Sequence, residues 1–418
     1  MRVLVASHEW EGAAPGGAQR AAAALAAGLA QADGVNVTLA AAVREGIDTL
    51  ASVHQPPAGV REVLVTSETD TEFFSWLDPA YAAHWSEVLL DVRPDVVHLH
   101  HYYHVGMELP LLVRRLLPQT AIVMTMHEFL AICLLSGQMV DSLGHLCVTS
   151  SPQRCARCIG WPVHRTFARQ DYVRQALLPV DAFITPSEFS RGRYVVWGLA
   201  PESVRSIPNA LALDVLDAGA PRERTGEGLR LAYIGQLTPT KGVDVLVEAI
   251  GIARRLDRSA IEWVDIYGGG ADRFDEAFHR LMRQLGQEAG PQVRFLGPYA
   301  QGALPAILDS ADAIVVPSVW WENSPVVIEE ALARRVPVVC SDIGGMAEKV
   351  RDGMDGWHFP AGNAAALAEV LVRLSHEASL ALPGMRRPDP VADVVGRHLQ
   401  VYSEALESRG AKSTLPAV

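Results

Sequence analysis

Short apolar runs with the character of buried parallel strands alternate with helical patterns along nearly the whole chain, and the alternation runs twice. The first block has strand-like runs at Val3–Ala6, Val35–Ala40, Val96–Leu99, Ile122–Met126 and Ala182–Thr185. Helical patterns fall between some of them, at Gly17–Ala32, Tyr81–Leu90, Leu109–Leu117 and Tyr172–Leu178. A polar stretch with Gly219, Pro221, Gly226 and Gly228 then interrupts the pattern. The second block has strands at Leu231–Ile234, Trp263–Tyr267, Val293–Leu296, Ala313–Val316 and Val336–Cys340, with helices from near Lys241, Asp272, Ala300, Pro325 and Gly345. Such alternation defines an α/β fold, here two doubly wound domains. The expected boundaries are 1–212 for the first domain, 213–228 for a linker and 229–390 for the second. Pro383 to Pro390 break the pattern, and a last helix is expected over 391–408 with a frayed tail after it.

The net charge of −12 and the lack of a basic stripe argue against a nucleic-acid partner. A phosphate ligand would therefore be held by local groups against the global charge. The Ala-rich run Ala21–Ala30 is too short to span a membrane. The start, MRVLVASHEWEG, reads as a strand entering an acidic loop and not as a signal peptide. No transmembrane segment is expected, and the default location is cytoplasmic. Lys241, Lys349 and Lys412 are the only lysines among many arginines. With abundant Ala, that suggests a GC-rich bacterial genome.

In open α/β sheets, ligands bind outside the C-terminal ends of the strands, so candidate residues should follow strands. The segment Val315–Val339, VVPSVWWENSPVVIEEALARRVPVV, reads as strand, loop, helix, strand. Glu322 lies in the loop behind Trp320 and Trp321, and Glu330 lies eight positions on, inside the helix. Ser324 as N-cap and Pro325 as first helical residue would start that helix and aim its free N–H groups, with Asn323 and Val326 alongside, at a loop ligand. Two acids beside a phosphate site suit a ligand carrying both phosphate and hydroxyls. The plainer reading is that Glu329 and Glu330 are solvated, with Glu330 pairing Arg334 at i,i+4.

Lys241, in GQLTPTKG, follows a strand at the head of a helix. A cation is unfavourable there unless an anion is near, so a diphosphate contact and a solvated first-turn lysine are the two readings. Gly16-Gly17 after the first strand and Gly268–Gly270 after a later one allow close ligand approach or simple turns. Neither fits the dinucleotide or P-loop fingerprint. His127, His8 and His100 end strands; His127, followed by Glu128 and a long irregular segment, is the better candidate for a hydroxyl or phosphate contact. That segment, 128–165, carries Cys133, Cys147, Cys155 and Cys158. They could hold a structural zinc ion, remain free thiols or form disulfides. Cys340, in an apolar strand, is expected in the core.

With these residues in place, the chain resembles the retaining glycosyltransferases of family 4 and GT-B fold. The resemblance covers almost the whole chain: Gly16-Gly17, HEF at His127, TPSEFSR at Thr185, IPN at Ile207 and GQLTPTKG at Gly235 occur in the family's order. Most specific is Glu322–Glu330, an E-x7-E motif followed by A-x-A-x-x-x-P-V-V. The resemblance implies two Rossmann-like domains facing across a cleft, with the last helix crossing back onto the first. It implies a nucleotide-sugar donor linked to UDP, GDP or ADP and a hydroxyl-bearing acceptor. Glu322 would contact the donor sugar, Glu330 the ribose, and Lys241 the diphosphate. Asn323, Ser324, Pro325 and Val326 would bind donor phosphate and sugar, with Gly268 on the donor side. Gly17 would lie near the reaction centre and His127 against the donor sugar. No cofactor is required, and no Asp-x-Asp motif is placed to hold a catalytic metal. Where the family commonly has Arg, this chain has Gln236, so the phosphate clamp loses a charge. A same-fold sugar-nucleotide isomerase or phosphorylase, and a non-catalytic sugar-nucleotide-binding protein, are the alternatives.

Overall fold

The computed structural model describes residues 1–8, 16–44, 56–211, 228–270 and 276–413. The expected linker, except Gly228, lies outside the described residues. The chain divides into two compact units, Met1–Leu211 with Asp389–Val418, and Ala212–Pro388.

The first unit runs β1 (Arg2–Ser7), α1 (Gly17–Leu29), β2 (Asn36–Val43), β3 (Val60–Thr66), α2 (Tyr81–Val92), β4 (Val96–Leu99), α3 (Leu109–Leu116), β5 (Ala121–Thr125), α4 (Pro152–Ile159), α5 (Val163–Leu177), β6 (Ala182–Thr185), α6 (Glu188–Trp197) and β7 (Val204–Ser206). The second runs β8 (Leu229–Ile234), α7 (Val243–Leu256), β9 (Ile261–Tyr267), α8 (Glu276–Ala289), β10 (Val293–Gly297), α9 (Leu304–Ser310), β11 (Ala313–Val316), α10 (Val326–Ala333), β12 (Val338–Ser341), α11 (Gly344–Lys349), β13 (Gly356–Phe359) and α12 (Ala364–Ser375). The last helix, α13 (Val391–Ser413), belongs to the first unit.

Each unit is built on one parallel sheet, of order β3-β2-β1-β4-β5-β6-β7 in the first and β10-β9-β8-β11-β12-β13 in the second. The order reverses direction beside the first strand of each block. The switch point is therefore β1/β4 in one unit and β8/β11 in the other, where a crevice opens at the strand ends.

Strand side chains alternate between two apolar layers, as a period of two requires. In the second unit Leu231, Tyr233, Val315 and Val339 face a layer containing Val247, Ile250 and Leu371. Ala232, Ile314, Val316, Val338 and Cys340 face the opposite layer with Ile328 and Leu332. Helices cover both faces, so the strands read as continuous hydrophobic runs, and each buried Val, Leu or Ile contributes about 1.5–3 kcal/mol. In the first unit α13 closes one layer: Val394, Val395, Val401 and Tyr402 pack with Val3, Val5, Leu25 and Val123.

The structure departs from the sequence reading at several edges. Strands β3, β7 and β13 are short or polar at alternate positions and were not anticipated. The segment 128–165 is not wholly irregular: it contains α4, with Ser151 capping Arg154 N, and the start of α5. The last helix does not fray after Ser408 but runs to Ser413. Arg409 pairs there with the buried carboxylate of Asp181, which Arg114 also holds at 2.9 Å. Among the described residues no helix is long and apolar enough to cross a membrane.

Candidate active site

Two loops meet at the switch point of the second unit because β8 and β11 are hydrogen-bonded neighbours, pairing Leu231 with Ala313 and Ala232 with Ile314. The loop after β8 carries Lys241 and the loop after β11 carries Glu322. They are stitched by Val319 N donating to Thr240 O at 2.9 Å. Gly242 makes the approach possible: its φ is +66°, and a Cβ there would fall 2.0 Å from Pro317 O.

Glu322 is 8% exposed, and its Oε1 accepts three bonds: from Lys241 Nζ at 2.6 Å, Ser318 Oγ at 2.8 Å and Trp320 Nε1 at 2.8 Å. Lys241 Nζ also lies 5.2 Å from the Trp320 ring centroid. Burial pushes the Glu322 carboxyl upward. The Lys241 charge and the bonds from Lys241, Trp320 and Ser318 outweigh it, so the carboxyl sits below its ordinary range. The pair is an ionised acid and its counter-charge in a half-dry crevice.

The residues after Glu322 are shaped from behind. Gly345 N donates to Glu322 O at 2.7 Å, and a Cβ on Gly345 would stand 1.9 Å from Asn323 O. Gly345→Ala is expected to cost about 1–3 kcal/mol of stability and to weaken ligand binding together with it. Thermal unfolding and ligand titration of the variant measure both, and an unchanged Tm would show that the loop yields freely.

The helix expected from Pro325 begins one residue later, at Val326. Pro325 is its N-cap residue with ψ 117°, and no side chain caps the turn. Ser324 Oγ and both amide atoms of Asn323 are buried without a hydrogen-bond partner. A buried polar atom left unpaired costs about 1–3 kcal/mol, so these three at a helix N-terminus need a partner that the protein does not supply, a ligand or water.

Glu330 is 2% exposed, on a helix covered on most sides. Glu329 is not solvated either. At 4% exposure it takes two bonds from Arg386, at 2.8 and 2.9 Å, and one ion pair from Lys349 at 3.3 Å. It anchors α10 from beneath. Arg386→Ala is expected to lower the stability of this unit by about 3 kcal/mol, because it strips a buried carboxylate of its bidentate partner. Chemical denaturation checks this. Arg334 bonds Asp309 at 3.0 and 2.5 Å.

Gln236 is exposed, and its backbone carbonyl accepts from Tyr233 Oη at 2.6 Å. Gly268, at φ +149°, packs so tightly that a Cβ would lie 1.7 Å from Gly235 O; it spaces the loops after β8 and β9. An apolar groove of about 690 Å³ between α8 and β10 shares only Leu237 with the loop that carries Lys241. It holds none of the ionised groups of the crevice.

In the first unit Gly17 opens α1, with Gly16 as N-cap residue and no side-chain cap. His127 Nε2 lies 3.0 Å from His100 Nδ1, and burial, then the His8 and His398 charges, push its ring down to about 3. It is therefore neutral. Glu128 is held by Tyr102 Oη at 3.1 Å, by Leu130 N and by His101 Nε2 at 3.3 Å. These side chains extend into a larger group that motif reading missed: His98, His101, His104 and His398 join His8, His100 and His127 in one connected set of rings and electrostatic neighbours. The run LHHYYH after β4 was the available signal.

The expected zinc set is Cys133, Cys147, Cys155 and Cys158. Among the described residues no group of three or more His, Cys, Asp or Glu could hold a metal ion. Cys133, Cys147, Cys155 and Cys158 are free thiols. Cys133 Sγ is directed to Leu135 O at 3.9 Å and Cys147 Sγ to His145 O at 4.0 Å. Burial raises the Cys133 thiol to about 11. Cys340 is fully buried in its strand.

Residues 15–215 match the family described as Glycosyltransferase Family 4, and residues 228–377 the family described as Glycosyl transferases group 1. The chain belongs to the family 4, group 1 glycosyltransferases. It is 31% identical over 205 residues to a D-inositol 3-phosphate glycosyltransferase of Salinispora arenicola, covering 46% of each chain. It is 33% identical over 201 residues to a phosphatidyl-myo-inositol mannosyltransferase of Mycobacterium leprae, covering 46% of this chain and 49% of that one. The match spans about half the length of these curated relatives. HepE of Anabaena, solved with UDP-glucose, shares the GT-B fold at a TM-score of 0.64 and 16% identity, over 98% of this chain and 100% of that one.

Proposed function

We propose that the protein transfers a sugar from a nucleotide diphosphate-sugar to an acceptor hydroxyl with retention of anomeric configuration. One observation carries the reading. An ionised Lys241–Glu322 pair sits at the switch point, beside the unpaired polar atoms of Asn323 and Ser324 at the start of α10. A diphosphate suits Lys241 and the free N–H groups of α10, and sugar hydroxyls suit Glu322. Glu330, buried one helical face further on, is assigned to the ribose.

As the bond to the nucleotide breaks, negative charge builds on the departing phosphate, and fixed positive groups stabilise it. This electrostatic term is commonly the largest in catalysis. The sugar carbon passes through an oxocarbenium-like state. The departing phosphate accepts the acceptor proton on the same face, which accounts for retention without a dedicated base. Relatives named for inositol phosphate and phosphatidyl-inositol substrates support a hydroxyl acceptor.

The test is to mix the purified protein with UDP-, GDP- and ADP-linked sugars and a panel of hydroxyl acceptors, and to follow nucleoside diphosphate release. Acceptor-dependent release with one nucleotide class is expected. Release of a sugar phosphate, or no binding of any nucleotide-sugar, would overturn the reading.

A further inference from the structure

We infer that Trp320 is a positioning residue that sets both members of the Lys241–Glu322 pair, its indole N–H fixing one carboxylate oxygen and its ring face holding the ammonium. The inference rests on the donor-site reading above and deepens it. Trp320 Nε1 donates to Glu322 Oε1 at 2.8 Å, and Lys241 Nζ lies 5.2 Å from the Trp320 ring centroid. That distance is within cation–π reach. One side chain therefore contacts both charges, through two different parts of its ring system.

The consequence lies in the lone pairs. A carboxylate has about four acceptor sites, two on each oxygen. Lys241, Ser318 and Trp320 crowd three donors onto Oε1. Among the described residues no donor is seen on Oε2. Oε1 is thus saturated by the protein, and the carboxylate plane is fixed by donors from three positions. Oε2 is left as the acceptor presented to a ligand hydroxyl. Ser318, 1% exposed, and Trp320 make this arrangement independent of the ligand. Lys241 can then turn toward an incoming diphosphate without releasing Glu322, because two neutral donors still hold Oε1. A plain apolar residue at position 320 would leave Ser318 as the one neutral donor on Oε1, so Glu322 would lean more on Lys241 and the ligand would compete with it.

The plainer role for Trp320 is to fill space in the loop, and the variants separate the two. Trp320→Phe keeps a ring face and removes the N–H; Trp320→Leu removes both. Ser318→Ala removes the other neutral donor. UDP-glucose, GDP-mannose and ADP-glucose are titrated by calorimetry from pH 5 to 8, where the first unit stays folded, and the one that binds the wild type is used throughout. Trp320→Phe is expected to weaken donor binding about 10-fold, the scale of one charge-assisted hydrogen bond. It should also make affinity fall more steeply between pH 8 and 5 than in the wild type, because Glu322 loses a donor to its charged form and begins to protonate at higher pH. Trp320→Leu should weaken binding further, and Tm should change little in either.

Wild-type affinity and a wild-type pH dependence of binding in Trp320→Phe would overturn the inference. So would equal losses in Phe and Leu that track a lower Tm. Glu322→Gln, run in parallel, separates the two levels. If it binds and turns over donor like the wild type, the donor-site reading itself is overturned. If it is impaired while Trp320→Phe is not, only the role of Trp320 falls. If no nucleotide-sugar binds the wild type, both fall.

Discussion

Replacing Lys241 with Ala is expected to lower kcat/KM for sugar transfer by about 10²–10³-fold, the range seen when one fixed stabiliser of developing charge is removed. Among the described residues Lys241 is the only side-chain cation bonded to Glu322, and in the proposed reaction it would face the departing diphosphate. With Gln in place of the family's usual Arg at position 236, no second guanidinium in that loop covers the loss. Glu322→Gln should fall by a comparable factor, since it keeps the shape but exchanges an acceptor for a donor. Both folds should persist. In Lys241→Ala the carboxyl keeps Ser318 and Trp320 as donors and can take up a proton rather than remain as a bare buried charge. The two losses should not add in the double variant, because the side chains act as one unit. Initial rates over a range of donor concentrations measure this, with circular dichroism as the control for folding. Near-wild-type turnover in both single variants would remove the site from this crevice.

How far this pair could be read from the chain is instructive. Lys241 and Glu322 each stood out locally, one as a scarce lysine at a helix head, the other as an acid behind two tryptophans after an apolar strand. Their contact could not be read, because it depends on β8 lying beside β11, and strand order is a property of the crossovers and not of any segment. The same limit hid the partners of Glu329. Two adjacent glutamates on a helix look like surface charges, and only the covering of α10 shows that Glu329 is buried between Arg386 and Lys349. Ser324 had the right residue type for a cap, yet Pro325 occupies the N-cap position and the Ser324 hydroxyl caps nothing. The cysteine spacing suggested a metal set, but spacing does not encode where the thiols point; two of them are directed at nearby carbonyls. Three of the four edge strands, β3, β7 and β13, were missed for a related reason. They carry polar residues on alternate positions or are only three or four residues long, which blurs the apolar signal that marked the central ones.

The first unit should unfold in mild acid, and the histidines explain why. His98 is fully buried, with Tyr402 Oη at 2.7 Å from Nδ1 and Thr125 Oγ1 at 2.7 Å from Nε2. Its ring lies 4.4 Å from that of His100 and 5.6 Å from that of His398. His398 Nδ1 meets Val394 O at 2.8 Å. Burial, joined by neighbouring charges, holds these rings neutral. His8 and His398 are pushed down to about 4 and His127 to about 3, while His98, His100 and His101 lie well below the ordinary range. The facing charges include Arg397 beside His398, which disfavours protonation, and Glu128 beside His101. In the unfolded chain each ring takes a proton near pH 6.5. Between that pH and about 4 the unfolded state therefore binds more protons, and stability falls as pH is lowered. The loss is about 1.4 kcal/mol per pH unit for each histidine, so the six together remove about 8 kcal/mol per unit. Glu128, whose carboxyl burial pushes up, gains stability on acidification and offsets roughly one histidine. Against a total of about 5–15 kcal/mol, the fold should be lost between about pH 5 and 4. Thermal unfolding from pH 7.5 to 4.5 should show a steadily falling Tm. His398→Gln, which keeps a polar group at the helix but cannot charge, should flatten that slope. A Tm constant down to pH 5 would mean that the rings are paired with charge or open to water, and the buried neutral cluster would have to be abandoned.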